Sequence, residues 1–245
     1  MPVAPVGGGT EAPVTLLLVE DDDVIRRSVA LALERYGYRV APAADGLSGL
    51  ELFREGGHDL LLLDVMLPGL DGIGLCRRVR ETSTAPILMM SARGDALDVV
   101  SGLEAGADDY VVKPVDTSVL VARIRSLLRR AAFTSAGADA TGAAAAPADG
   151  TRLVFGDLTL DTAGLDVFRA GEPVALAPTE LRLLLEFAAS PSVVLDRQTL
   201  LRNVWDYGWD GDTRVVDLCV QRLRRKIGAE RIETVRGFGY KLRRS

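Results

Sequence analysis

Between Thr15 and Arg130 five short apolar runs alternate with five longer amphipathic segments. The runs are Thr15–Val19, Tyr38–Pro42, Asp59–Leu63, Pro86–Met90 and Asp109–Val112. Helical periodicity fills the gaps, over roughly Asp22–Tyr36, Gly46–Glu55, Asp71–Glu81, Ala96–Ala105 and Thr117–Arg130. Leu60-Leu61-Leu62-Leu63 has no polar side at all, so such a strand must be covered on both faces. That pattern belongs to an α/β, doubly wound, five-stranded parallel sheet. Sheets of this kind place their ligands outside the carboxyl ends of the strands.

The remainder of the 245 residues reads differently. Residues 132–151 are rich in Ala and Gly with no basic side chain, which predicts a flexible linker spanning roughly 25 Å. Leu153–Leu160, Leu165–Phe168 and Val174–Leu176 alternate as short strands. Three helices follow, one from Thr179 with Thr179 as its N-cap, one capped by Asp196 and ending at Trp205, and one over Thr213–Ile227. Arg231–Thr234 and Gly237–Leu242 then read as a hairpin. The expected organisation is a tail at 1–13, an α/β domain at 14–131, the linker at 132–151, and a small α+β domain at 152–245.

Net charge taken whole, −5, argues against a polyanion binder, but the charge is not evenly spread. From Thr213 to the end, ten basic side chains face three acidic ones. An acidic front with a basic tail points to nucleic acid or another polyanion. Cys76 and Cys219 form no paired motif and His58 stands alone, so no disulfide framework or zinc site is expected. Met1–Pro13 lacks the basic and apolar regions of a signal peptide, and no run is long enough to span a bilayer. A cytoplasmic location, with no membrane partner, is expected.

In the α/β domain, residues of one chemistry fall at successive strand ends. Glu20-Asp21-Asp22-Asp23 follow the first strand, Asp64 the third, Ser91 the fourth and Lys113-Pro114 the fifth. A carboxylate cluster suits a hard cation such as Mg²⁺, and a carboxylate can also form an acyl phosphate. A hydroxyl and an ammonium neutralise phosphoryl oxygens. The chain holds three lysines against 26 arginines, so a lysine at this place is informative. A compact ammonium is not interchangeable with a guanidinium at a small phosphate site.

These residues, with Asp64-Val65-Met66-Leu67-Pro68-Gly69, Gly106-Ala107-Asp108-Asp109-Tyr110 and Ser91-Ala92-Arg93, resemble the flavodoxin-like receiver domain of two-component response regulators. The resemblance implies that Asp64 accepts a phosphoryl group from a sensor histidine kinase. Mg²⁺ would be held by Glu20, Asp21, Asp64 and the Met66 carbonyl, with Ser91 and Lys113 on the phosphoryl group. Ser91 and Tyr110 would be the switch pair, Tyr110 turning inward on activation. It also implies a homodimer on phosphorylation, through Glu104, Asp108, Asp109, Arg123, Arg125 and Arg130, with Val99 and Val119 making part of that face apolar.

Over Thr213–Ile227 an apolar seam of Val216, Val220, Leu223 and Ile227 is opposed by Arg214, Leu218, Gln221, Arg222 and Arg225, with Arg224 on the flank. Such a helix suits the major groove of double-stranded promoter DNA, where Arg reads guanine and Gln reads adenine. Helices, a recognition helix and the hairpin carrying Arg236, Tyr240 and Lys241 resemble the winged helix-turn-helix output domain of OmpR/PhoB-type regulators. Within that resemblance, loop 206–212 matches a loop that touches RNA polymerase. The chain thus reads as a phosphorylation-controlled transcription regulator binding tandem half-sites, not an enzyme beyond self-phosphorylation and self-dephosphorylation. Two other readings are weighed: a phosphorylation-independent DNA binder with a structural receiver, and a haloacid-dehalogenase-type phosphohydrolase. The latter is disfavoured because those enzymes carry D-x-D after the first strand.

Overall fold

The computed structural model describes residues 13–92, 96–138, 152–206 and 212–244. The apolar runs become β1 (Thr15–Val19), β2 (Arg39–Ala43), β3 (Leu60–Asp64), β4 (Ile87–Ala92) and β5 (Asp109–Lys113). All pair in parallel, in the order β2-β1-β3-β4-β5. The intervening helices are α1 (Asp23–Arg35), α2 (Gly46–Glu55), α3 (Gly72–Arg80), α4 (Ala96–Ala105) and α5 (Thr117–Ala138).

Strand periodicity divides the leucines between two cores. Leu17, Leu61 and Leu63 face Leu50, Leu75 and Leu103, while Leu16, Leu60 and Leu62 face Leu33, Leu120 and Ile124. Leu60 to Leu63 are fully buried, and each contributes about 1.5–3 kcal/mol of burial free energy. Asp22, Asp45 and Asp71 cap α1, α2 and α3 by accepting backbone N–H groups of the first turn.

The second half begins with a four-stranded antiparallel sheet of β6 (Arg152–Phe155), β7 (Leu158–Asp161), β8 (Val167–Arg169) and β9 (Glu172–Pro173). The alternating stretch read as one strand, Leu153–Leu160, is two, because Gly156 at φ +61° turns the chain between them. Next come α6 (Pro178–Ala189), α7 (Arg197–Trp205) and α8 (Arg214–Ile227), then the hairpin β10 (Ile232–Val235) and β11 (Gly239–Leu242). Thr179 is not the cap of α6. It is fully buried in the first turn, while Pro178 opens the helix and the Glu180 carboxylate accepts the Ala177 N–H at 2.9 Å.

Two findings depart from the picture of independent domains. Helix α5 continues to Ala138, seven residues past Ala131, because alanine propagates an existing helix at little cost. The core on the Leu17 side also runs without a break through Val99, Leu103 and Ala107 into Leu181, Trp205, Val216 and Leu223. The two halves are packed together rather than free to reorient. The tail before Pro13 and the central linker residues lie outside the described residues.

Candidate phosphoacceptor site and DNA-binding surface

The strand ends converge as the spacing predicts. Glu20, Asp21 and Asp64 bring carboxylate oxygens within 4.8 Å of one another, Glu20 and Asp64 buried and Asp21 exposed. Asp22 and Asp23 leave this group: Asp22 caps α1, and Asp23 pairs with Arg26 and Arg27 at 2.8 Å. Arg26 also donates to the carbonyls of Glu20 and Asp21, fixing the loop that presents them. At the end of β3, Gly72 lies so close that a Cβ would stand 1.9 Å from the Asp64 carbonyl oxygen. Only glycine lets α3 start there.

Lys113 reaches across the sheet from β5, its Nζ donating to Glu20 Oε2 at 2.6 Å and Asp64 Oδ2 at 2.8 Å. Burial raises the Glu20 carboxyl above its ordinary value, with the Lys113 bond working against it. For Lys113 burial acts downward, but the bonds and charges of Asp64 and Glu20 outweigh it and the ammonium is held more tightly. Ser91 is 2 % exposed and its hydroxyl has no hydrogen-bond partner among the described residues. A buried, unpaired hydroxyl costs free energy unless a ligand completes it. The Met66 N–H points back at Asp64 Oδ1, at 3.4 Å. An all-oxygen donor set carrying net negative charge fits a hard divalent cation.

Several of the remaining receiver residues are held within their own domain or against the second one. Asp108 and Asp109 are each 1 % exposed. Asp108 accepts from Arg80 at 2.8 Å and from the Ile87 N–H at 3.0 Å; Asp109 pairs with Arg123 at 3.3 Å. Arg130, 1 % exposed, donates to the Val204 carbonyl at 3.2 Å, and Ser126 Oγ donates to the Trp205 carbonyl at 3.1 Å, so α5 caps the C-terminus of α7. Arg222 returns the arrangement from α8. It is 7 % exposed, its Nη1 donating to Leu103 O at 2.7 Å and Ala107 O at 2.6 Å at the C-terminal end of α4. A guanidinium on terminal carbonyls is favoured by both hydrogen bonding and the helix dipole.

The buried Trp205 Nε1 donates to the Asp108 carbonyl at 3.1 Å. Tyr110 is not turned into the pocket; its hydroxyl donates to Asp212 across the boundary. Burial first, then Asp212, pushes that phenol up to about 12. Asp206, in the left-handed conformation after α7, accepts from Ser126, Arg129 and Arg182. Trp205, Asp206 and Ser126 were not singled out from the sequence as contacts, since none sits in a motif that announces a partner more than 70 residues away.

Of the expected dimer residues, Glu104 and Val119 are exposed, Val99 is in the core, and Arg125 lies over the Tyr36 ring on the α1 side, away from the others. Of the expected DNA contacts, Gln221, Arg225 and Arg236 are exposed. Arg214 is bound to Asp212 at 2.6 Å and Lys241 to Glu233 at 3.3 Å. Three others face inward. Arg222 holds α4, Arg224 donates to the Ile232 carbonyl and Thr234 hydroxyl, and Tyr240, 5 % exposed, donates to Asp217 at 2.7 Å. The loop expected to meet RNA polymerase, with Trp209, lies outside the described residues but for its ends. Cys76 and Cys219 are buried thiols pushed up by desolvation to about 11 and about 12, which leaves no reactive thiolate at neutral pH.

Comparison with known proteins agrees with this geometry. Residues 16–125 match the response regulator receiver domain, and residues 171–242 match the C-terminal domain of transcriptional regulatory proteins. The transcriptional regulatory protein CseB of Streptomyces coelicolor is 64 % identical over 228 residues, 93 % of this chain and 97 % of that one. The DNA-binding response regulator MtrA of Mycolicibacterium smegmatis is 41 % identical, over 92 % of this chain and 95 % of that one. The solved structure of a RitR mutant superposes with a TM-score of 0.72 at 27 % identity, covering 94 % of this chain and 99 % of that one. Asp64 follows the third strand rather than the first, unlike the nucleophile of the phosphohydrolases considered above. A receiver domain joined to a winged helix-turn-helix output domain, with relatives matched along nearly their whole length, places this chain among the OmpR/PhoB-type two-component response regulators, which are DNA-binding transcription regulators and not enzymes.

Proposed function

We propose that phosphorylation at Asp64 controls DNA binding by releasing Arg222 and Arg130 from the contacts that hold the two domains together. The observation that carries this reading is the Ser91 hydroxyl at the end of β4, unpaired among the described residues, together with the Lys113 ammonium from the neighbouring strand end, which already spans Glu20 and Asp64. In the transfer from a sensor histidine kinase, an Asp64 oxygen forms the new P–O bond as the P–N bond to the kinase imidazole breaks. Glu20, Asp21, Asp64 and the Met66 carbonyl would hold Mg²⁺, which supplies charge neutralisation for the phosphoryl oxygens. Ser91 then gains the acceptor it lacks, and Lys113 exchanges a carboxylate oxygen for a phosphoryl oxygen.

Both residues lie on the strands that carry the interface. Ser91 pairs with Val112 and Leu88 with Asp109, so a pull on the end of β4 and β5 is transmitted to Asp108, Asp109 and Tyr110. Phosphorylation need only bias a two-state packing, not create a new one. With the receiver face uncovered, Asp109, Arg123 and Arg130 join the already exposed Glu104 and Val119 within reach of a second copy, and the exposed Arg222 joins Gln221 and Arg225 on DNA. Paired receivers would set two output domains on half-sites about one turn apart. Contact of loop 206–212 with RNA polymerase and a cytoplasmic setting belong to the same proposal; among the described residues no helix is long and apolar enough to cross a membrane.

The test is acyl phosphate formation with Mg²⁺ and a small phosphodonor, read as a hydroxylamine-labile adduct together with small-angle scattering. The expected result is labelling that Asp64→Asn abolishes, accompanied by expansion of the molecule. Labelling that survives Asp64→Asn, or labelling with no expansion and no gain in DNA affinity, overturns it.

A further inference from the structure

The hairpin after α8 carries at its tip an aromatic side chain that stands mostly in solvent. Phe238 is 71 % exposed. It closes the three-residue connection Arg236-Gly237-Phe238, with Val235 opposite Gly239 and the Phe238 N–H donating to the Val235 carbonyl at 2.9 Å. Gly237 adopts φ +79°, and a Cβ placed there would meet no atom within 4 Å, so the tip stands clear of the protein. Single exposed apolar side chains are common on surfaces. What distinguishes this one is how firmly its support is held against the recognition helix.

Two four-residue strands are not stable alone, and this pair is fixed from three sides. Arg224 of α8 donates to the Ile232 carbonyl and, at 2.8 Å, to Thr234 Oγ1. Tyr240 lies between the guanidinium groups of Arg197 and Arg224, 4.8 and 5.5 Å from its ring, and its hydroxyl reaches Asp217 of α8. Leu195 and Tyr240 exchange both backbone hydrogen bonds, at 2.8 and 3.0 Å, and Gly239 packs so tightly on Leu195 that a Cβ would sit 2.1 Å from its carbonyl oxygen. The tip is therefore carried in a fixed relation to the exposed Gln221 and Arg225. Its charge is basic, because Arg236 is exposed and Glu233 is taken up by Lys241 and Arg243.

We propose that Phe238 is a wedge against DNA. With α8 in the major groove, the narrow tip enters the adjoining minor groove, Arg236 faces the phosphates, and the ring leans into a base step and bends the duplex. A phenyl ring has no donor or acceptor with which to read base edges, so it senses deformability. Pyrimidine–purine steps, which unstack most easily, are the preferred partner. The proposal rests on DNA binding by the output domain and adds to it a residue that selects sequence without a hydrogen bond.

The experiment uses the full chain, treated with phosphodonor, on a duplex that the wild-type protein itself selects from a random library, end-labelled to report bending by energy transfer. Because the side chain is largely exposed, Phe238→Ala is expected to leave the melting temperature unchanged. It should weaken binding about tenfold and straighten the duplex, with the loss largest where a TA or CA step lies under the wing. Phe238→Leu should keep most of the bend. Wild-type binding with an unchanged bend and affinity in Phe238→Ala overturns the wedge while leaving DNA binding intact. A loss of affinity equal for all sequences, with the bend unaltered, also overturns it, since that is the mark of a backbone contact.

Discussion

Ser91 brings a buried hydroxyl to the end of β4, where its bonding depends on what Asp64 carries. Unphosphorylated, its hydroxyl is buried and unpaired, so Ser91→Ala removes an unsatisfied group and loses no bond. The variant is expected to melt at the same temperature or slightly higher. It should still label at Asp64, while the phosphodonor-dependent gain in DNA affinity falls about tenfold; calorimetry and a binding titration read the two effects separately. Asp109 gives a second residue-scale test. Burial raises its carboxyl from the ordinary 3.8 to about 6, against the pull of Arg123 and Arg130 and the Tyr110 N–H, with Asp108 adding a small upward push. A carboxyl raised in the folded state binds protons more readily there than when unfolded. Its contribution to stability is therefore fully present below pH 3.8 and is lost as pH rises through about 6. The difference in stability between wild type and Asp109→Asn, followed by urea denaturation from pH 4 to 7, should change across that window and be flat above it. A difference that does not vary with pH removes Asp109 as the source.

At the scale of elements, the receiver was legible because parallel strands buried on both faces advertise themselves as unbroken apolar runs. Strand ends also deliver their side chains to one edge whatever the helices do. Glu20, Asp64, Ser91 and Lys113 could thus be read together before any coordinate was known. The cap of α6 was harder, since Thr179 and Glu180 fit a capping pattern in more than one register and Pro178 decides it. The single strand read over Leu153–Leu160 failed for a local reason: alternation continues through Gly156 and Asp157 even though glycine there turns the chain. Least legible was the role of α8. Periodicity assigned it an apolar seam and a polar face, but the carbonyls to which Arg222 donates belong to residues more than 110 positions earlier. The hairpin offers an element-scale prediction. Gly239 has φ +143° and no room for a Cβ, so Gly239→Ala should cost at least about 2 kcal/mol. In a denaturant titration it should unfold markedly earlier than the adjacent but largely exposed Phe238→Ala.

At the scale of the whole molecule, closure rests on a reciprocal exchange. Arg130 of the receiver caps a helix of the output domain, and Arg222 of the output domain caps a helix of the receiver. The two arginines are alike in holding the closed form and unlike in what they do when it opens, because only Arg222 lies on the helix offered to DNA. Each buried guanidinium bonded to carbonyls contributes on the order of 1.5–3 kcal/mol, so removing either should shift a closed equilibrium several-fold or more. Arg130→Ala is therefore expected to expand the unphosphorylated protein and raise its DNA affinity without any phosphodonor. Arg222→Ala should expand it to the same degree yet lower affinity and relax sequence preference at about one base pair. Small-angle scattering and binding titrations on the two variants separate the roles. Equal loss of DNA affinity in both would mean that closure does not compete with DNA, and that Arg222 is held against α4 for packing alone.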